Sequence, residues 1–194
     1  SSLLKTVPRT VTPVKGSVIF QDKDIKSYAP KELAKKITYL PQIHTSPADI
    51  DIRTLVSYGR YPYKKFGSGL TAEDRDIIDQ TLELTRGDVV LQLPPKEFYL
   101  LFKLLSYPKI CQQPQILLLD EPITYLDIGY QIEVLELVRE LCERLKITIV
   151  MVLHDMNFTA RYSHRIYVLK DGHVFDYGHP DTIISHNTMK DVFH

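Results

Sequence analysis

The run Ile116-Leu117-Leu118-Leu119-Asp120-Glu121-Pro122 sets four apolar residues directly against two carboxylates. An unbroken apolar run of this length suits a strand buried on both faces. Charge at its C-terminal end then falls at the sheet edge where open α/β folds bind ligands. Adjacent side chains on a strand point oppositely, but the strand ends here, so both acids can approach one site. One carboxylate can hold Mg²⁺, directly or through water, while its neighbour polarises an attacking water. A solvated turn after a buried strand would use the same two residues. A second apolar run, residues 147–153, ends in His154-Asp155. A histidine at the tip of an adjacent parallel strand can contact the same bound group. Two apolar runs that each end in polar groups favour a functional site over two unrelated turns.

The elements that must position these residues follow from periodicity. Residues 127–145 read as a long helix with apolar positions at Ile132, Leu135, Val138, Leu141 and Leu145. Two buried parallel strands joined by one crossover helix make a βαβ unit. Upstream, residues 1–7 form a helical turn that stops before Pro8, because proline lacks an N–H and disfavours helix at the preceding residue. Lys15-Gly16 turns the chain into a strand over 17–20. Pro30 opens a short helix to Lys36, which leads into a strand over 37–40 ended by Pro41. Thr71-Ala72-Glu73-Asp74 starts a helix to about Thr85, with a capping threonine and acids at the positive end. Downstream, 166–169 and 174–177 pair as a hairpin whose Asp171-Gly172 supplies positive φ angles, and two short helices close the chain.

Composition narrows the classes. The 194 residues carry 24 basic and 24 acidic side chains, with 44% hydrophobic and 25% charged residues. That is globular rather than disordered or collagenous composition, and the length suits one domain with an ample core. A formal net charge of +0 argues against a general nucleic-acid binder. No stretch approaches the ~18 consecutive apolar residues of a membrane span, and the first residues lack a signal-peptide pattern. Cys111 and Cys142 make neither a disulfide framework nor a metal cluster, and read as small buried hydrophobes in a reducing compartment. A cytoplasmic domain is the expectation.

The motifs together resemble one family. Leu117-Leu118-Leu119-Asp120-Glu121-Pro122, then Tyr125-Leu126-Asp127, then Val152-Leu153-His154-Asp155 are similar to the Walker B, D-loop and H-loop of an ABC-transporter ATPase. Tyr39-Leu40-Pro41-Gln42 resembles its Q-loop. Val56-Ser57-Tyr58-Gly59-Arg60-Tyr61-Pro62 resembles the iron-siderophore and vitamin B12 importer subfamily, as do Leu169 to Val174 and Tyr177 to Pro180. The resemblance covers residues 1–86 and 111–194 and implies an α/β, P-loop NTPase-type core. It implies ATP and Mg²⁺ as ligands, a membrane permease subunit as partner, a head-to-tail homodimer, and a place at the inner face of the cell membrane. It further implies that Asp120 holds the Mg²⁺ shell, Glu121 is the general base and His154 contacts the γ-phosphate. Gln42 would contact Mg²⁺ and the attacking water and couple the site to the permease, while Asp127 would act across the dimer. Ser1 would be the Mg²⁺-binding hydroxyl of the phosphate loop, with Ser2 beside it at the nucleotide. Residues 61–66, with Lys64-Lys65, lie where the family docks its permease, and serve equally as a solvated loop whose aromatics pack locally.

The sequence departs from the family in three places. No GxxxxGK[ST] can be built from its 8 glycines, so the reading is of a core truncated at its N-terminus. Between the helix ending near 85 and the strand at 116 the family carries Leu-Ser-Gly-Gly-Gln, and this chain contains no Gly-Gly. Residues 87–110 instead resemble the first strand and helix of a response-regulator winged-helix domain, a graft-like helical insert that alters the helical subdomain. Only six residues separate Lys109 from Ile116, too few for a recognition helix and wing, so DNA binding is not expected. Pro8 shortens the phosphate-loop helix, and Ile123 stands where the family has threonine. A chain of this sequence is expected to turn over no ATP by itself. The rival readings are a non-catalytic remnant or chimera and, less favoured, a DNA-binding response-regulator fragment.

Overall fold

The structure, a computed structural model, describes residues 2–42, 52–65, 67–84, 115–124 and 126–184. The insert over 87–110, Ser1 and Phe66 lie outside the described residues. The chain divides into two compact units, Ser1–Val152 and Leu153–His194.

The first unit is built on a parallel sheet of β3 (Ile37–Leu40), β4 (Ile116–Asp120) and β5 (Thr148–Val152), in the order β3-β4-β5. Its middle strand is the apolar run read from sequence. Leu117, Leu118 and Leu119 are almost fully buried, as a parallel strand covered on both faces must be. The register pairs Leu118 with Tyr39 on one side and Asp120 with Val152 on the other. Leu118 belongs to a core cluster with Leu4, Ile25, Leu33 and Ile37, against which Tyr39, Phe20 and Val152 pack.

Short elements feed this core. Helix α1 (Ser2–Thr6) buries Leu4. Helix α2 (Pro30–Lys36) has proline in its first turn, Glu32 near its positive end and Lys35 and Lys36 near its negative end, so its charges suit the dipole. It buries Leu33 and passes into β3 without a loop, because Ile37 is already extended. The expected strand over 17–20 is shorter than predicted. It forms β1 (Ile19–Phe20), antiparallel to β2 (Lys23–Asp24). Gln21 and Asp22 between them both have positive φ, the geometry of a tight two-residue hairpin turn.

Helix α3 (Ile52–Ser57) runs into a 3-10 helix (Tyr58–Tyr63), where the sequence had suggested only a loop from Tyr61. Helix α4 (Ala72–Leu84) begins as the sequence implied. Thr71 donates to the Asp74 carboxylate from its backbone N–H and its hydroxyl at 2.9 and 2.8 Å, and its hydroxyl accepts from the Asp74 N–H. This reciprocal capping fixes the helix start. The same carboxylate takes the Arg60 Nε–H at 2.5 Å, with both side chains buried. Arg60 also lies over the Tyr63 ring, 4.2 Å from its centroid. Burial works against ionisation of Asp74, but the hydrogen bonds from Thr71 and Arg60 outweigh it and hold the carboxyl below its usual value. One buried ion pair therefore ties the 3-10 helix to α4.

Helix α5 (Ile128–Leu145) connects β4 to β5, as the βαβ reading requires. Its buried face is Val134, Leu135 and Val138. Ile132 and Leu145 are exposed, so the predicted stripe is rotated toward Val134. Lys146, left-handed at φ 54, ends the helix.

In the second unit, helix α6 (Met156–Tyr162) is capped by Asp155, whose carboxylate accepts from the Phe158 N–H at 3.0 Å. The sequence had given no helix there. The predicted hairpin is present as β6 (Ile166–Lys170) and β7 (His173–Gly178), with positive φ at Asp171 and Gly172. Tyr167 and Tyr177 stack across it at 5.6 Å. Helix α7 (Pro180–Ile183) follows. A second closing helix, if counted from sequence, falls on 185–194, outside the described residues.

Asp74→Asn removes one half of a buried pair and leaves a buried guanidinium, which costs about 3–5 kcal/mol. Urea unfolding near neutral pH should show that loss. Because the folded carboxyl titrates below its unfolded value near 3.8, the wild-type advantage is present above that pH and drains away as pH falls through the lower folded value.

Candidate functional site

The C-terminal end of β4 carries the site. Asp120 is the last residue of the strand and only 2% exposed. A carboxylate so placed needs hydrogen-bond donors, and the Tyr39 hydroxyl donates to its Oδ2 at 3.1 Å. Tyr39 opposes Leu118 in the register. Leu118 and Asp120 share a sheet face, being two apart, so the Tyr39 ring can reach the strand end. Burial, then the charge and hydrogen bond of Asp120, push the Tyr39 phenol up to about 12.

Glu121 follows with φ 55, a left-handed conformation costly for a residue with a Cβ. The turn breaks the strand's alternation and brings the side chain to Gln42. The Gln42 Nε2–H donates to Glu121 Oε2 at 2.7 Å, across 79 residues of sequence. The Thr124 hydroxyl donates to the same oxygen at 3.3 Å. Below them Pro122 and Ile123 are buried. Ile123, at the position where a threonine was expected, thus serves as part of the floor of the turn.

The structure therefore brings Gln42 to Glu121, the neighbour in sequence of the buried Asp120. Ser2 opens α1 and is exposed, and Ser1 lies outside the described residues. Asp127 precedes α5 in an extended conformation, exposed, and makes no side-chain cap; its carbonyl accepts from the Gln131 N–H at 2.9 Å. His154 lies two residues beyond β5, near the start of the second unit. Asp155, read from sequence as part of a polar strand tip, caps α6 instead. Sequence reasoning missed Tyr39 and Thr124. The available signal for Tyr39 was a phenol inside a short strand, three residues before Gln42.

Asp120 and Gln42 offer hard oxygen donors, a carboxylate and an amide. Magnesium bound beside phosphates takes one or two carboxylates and keeps several waters, so this donor set fits it. Among the described residues no group of three or more His, Cys, Asp or Glu is arranged to hold a metal ion. No helix among the described residues is long and apolar enough to cross a membrane.

Comparison with known proteins gives relatives along the whole chain. It is 35% identical to the petrobactin import ATP-binding protein FpuC of Bacillus anthracis, over 100% of this chain and 72% of that one. It is 35% identical to the iron(3+)-hydroxamate import ATP-binding protein FhuC of Bacillus subtilis, over 100% and 72%. It is 32% identical to the ferric enterobactin transport ATP-binding protein FepC of Escherichia coli, again over 100% and 72%. Among solved structures, the ADP conformation of an ATP-binding cassette of an ABC transporter superposes with a TM-score of 0.80 at 18% identity, covering 98% of this chain and 81% of that one. A nucleotide-free ATP-binding cassette gives 0.75 at 19% identity, covering 98% and 78%. These likenesses establish the ABC ATPase fold. No protein-family model matches the chain.

The raised phenol is testable by ultraviolet absorbance. The difference between wild type and Tyr39→Phe should show one tyrosine ionising near pH 12. Asp120→Asn should move that step down, toward the ordinary value of 10. The linked stability is present below pH 10 and is lost as pH rises through about 12, because the folded value is the higher one.

Proposed function

The chain belongs to the ATP-binding subunits of siderophore and iron-chelate ABC importers, and on that premise we propose that it binds and hydrolyses Mg²⁺·ATP at the end of β4 to drive uptake of an iron chelate through a membrane permease. The observation that carries this reading is the meeting of Gln42 and Glu121 at 2.7 Å beside the buried Asp120. Two distant parts of the chain supply these groups, and their types suit phosphoryl transfer to water, where catalysis rests on positioning and charge stabilisation.

In this mechanism Asp120 would hold the metal shell, and Ser1 and Gln42 would contribute the remaining protein donors. Mg²⁺, when bound, supplies neutralisation of the phosphate charge that develops in the transition state. The Glu121 carboxylate orients the attacking water and takes its proton. Gln42, which holds the Glu121 carboxylate at 2.7 Å, would contact the metal and the attacking water and would link the site to the permease. His154 contacts the γ-phosphate, and Ser2 lies at the nucleotide. Asp127 acts across a head-to-tail homodimer, and no nucleic acid is involved. The permease contact falls on residues 61–66, beginning with Tyr61, which is 69% exposed at the end of the 3-10 helix held by Arg60 and Asp74. The subunit would then sit in the cytoplasm against the inner face of the membrane.

The reading is tested by following phosphate release from the protein in the presence of Mg²⁺ and ATP. Glu121→Gln should keep ATP binding and lower hydrolysis by at least ~10²-fold, the usual share of a general base. Phosphate release that survives this substitution would remove Glu121 from the chemistry.

A further inference from the structure

The proposed reading assigns Asp120 to the metal and says nothing of what holds Asp120 itself. The carboxylate is buried to 2% exposure at the end of β4, where two rotamers of its side chain would present different oxygens. The Tyr39 hydroxyl reaches Oδ2 at 3.1 Å from the neighbouring strand, and its ring packs against the core cluster containing Leu118. A ring held in this way has little freedom, so its hydroxyl is a fixed point.

We infer that Tyr39 is a positioning residue: its hydroxyl fixes the Asp120 carboxylate in the orientation used to hold the metal that accompanies ATP. Ligating carboxylates are commonly held by such outer hydrogen bonds. The inference rests on the reading of Asp120 as the metal-holding group. It also gives β3 a double task. Tyr39 grips Asp120, and Gln42, three residues on, grips Glu121. A displacement of this one segment would disturb both carboxylates together, so events at the Gln42 loop reach the metal through Tyr39 as well as through Gln42.

The test is Mn²⁺ binding in the presence of ATP, followed by electron paramagnetic resonance on the wild-type chain, Tyr39→Phe and Asp120→Asn. Phenylalanine keeps the ring and its packing. Tyr39→Phe is expected to weaken Mn²⁺ about 10-fold, the lower end of what loss of an outer-shell partner costs, with its thermal midpoint and metal-free ATP affinity unchanged. Asp120→Asn should weaken it further. If Tyr39→Phe binds Mn²⁺ like wild type while Asp120→Asn does not, Tyr39 has only a packing role and the inference is overturned, with the metal reading intact. If Asp120→Asn also binds like wild type, or wild type retains no Mn²⁺, the metal reading itself falls and the inference with it. A midpoint lowered in Tyr39→Phe in step with the lost Mn²⁺ affinity would likewise point to a structural role and overturn it.

Discussion

The constraint on which the site depends is the burial of β4 on both faces. Leu117, Leu118 and Leu119 can be satisfied only if the strand is paired on each edge and covered above and below. The register pairs Leu118 with Tyr39, which leaves Leu118 in its core cluster and brings the Tyr39 hydroxyl to Asp120. The apolar run thus carries the carboxylate to the end of the strand, and the Tyr39 hydrogen bond receives it there. With ~25 cal/mol per Å² of apolar surface removed from water, three buried leucines outweigh the cost of desolvating one hydrogen-bonded carboxylate.

Glu121 shows the complementary effect. A non-glycine residue at φ 55 is held against a preference of order 1–2 kcal/mol. It persists because the surroundings over-determine it: Pro122 and Ile123 are buried beneath the turn, and Gln42 and Thr124 hold the carboxylate. Strain of this kind gathers where a side chain must be aimed rather than merely accommodated. Here it turns an alternating strand end into a place where two successive acids serve one region.

Much of this was legible in the residues. Unbroken apolar runs gave β4 and β5, proline and charge placement gave α2, and Asp171-Gly172 gave the hairpin, because each pattern has one economical backbone solution. The failures have physical causes. Helix α6 is short and its apolar face slight, so only the Asp155 cap announced it, and that aspartate had been read as part of a strand tip. The stripe of α5 was placed on Ile132 where packing chose Val134, a rotation that periodicity alone does not resolve in a helix apolar on more than one side. The buried Arg60–Asp74 pair could not be read at all, since opposite charges fourteen residues apart resemble any two surface groups. Tyr39 stands in the sequence as one residue of the Tyr-Leu-Pro-Gln motif, and its bond to Asp120 depends on a register that no local pattern encodes. The family reading rests on ordered motifs over residues 1–86 and 111–194, and relatives at 35% identity show the same family.

The central claim is that Gln42 and Glu121, bonded to each other at 2.7 Å, serve one nucleotide site together with Asp120. Side-chain amide resonances of Gln42 report on that bond directly. Titration of the protein with Mg²⁺·ATP should shift the Gln42 Nε2–H₂ signals together with the backbone amides of Asp120 and Glu121, along one saturating curve. Saturable binding that moves other amides and leaves those of Gln42, Asp120 and Glu121 in place would contradict the account.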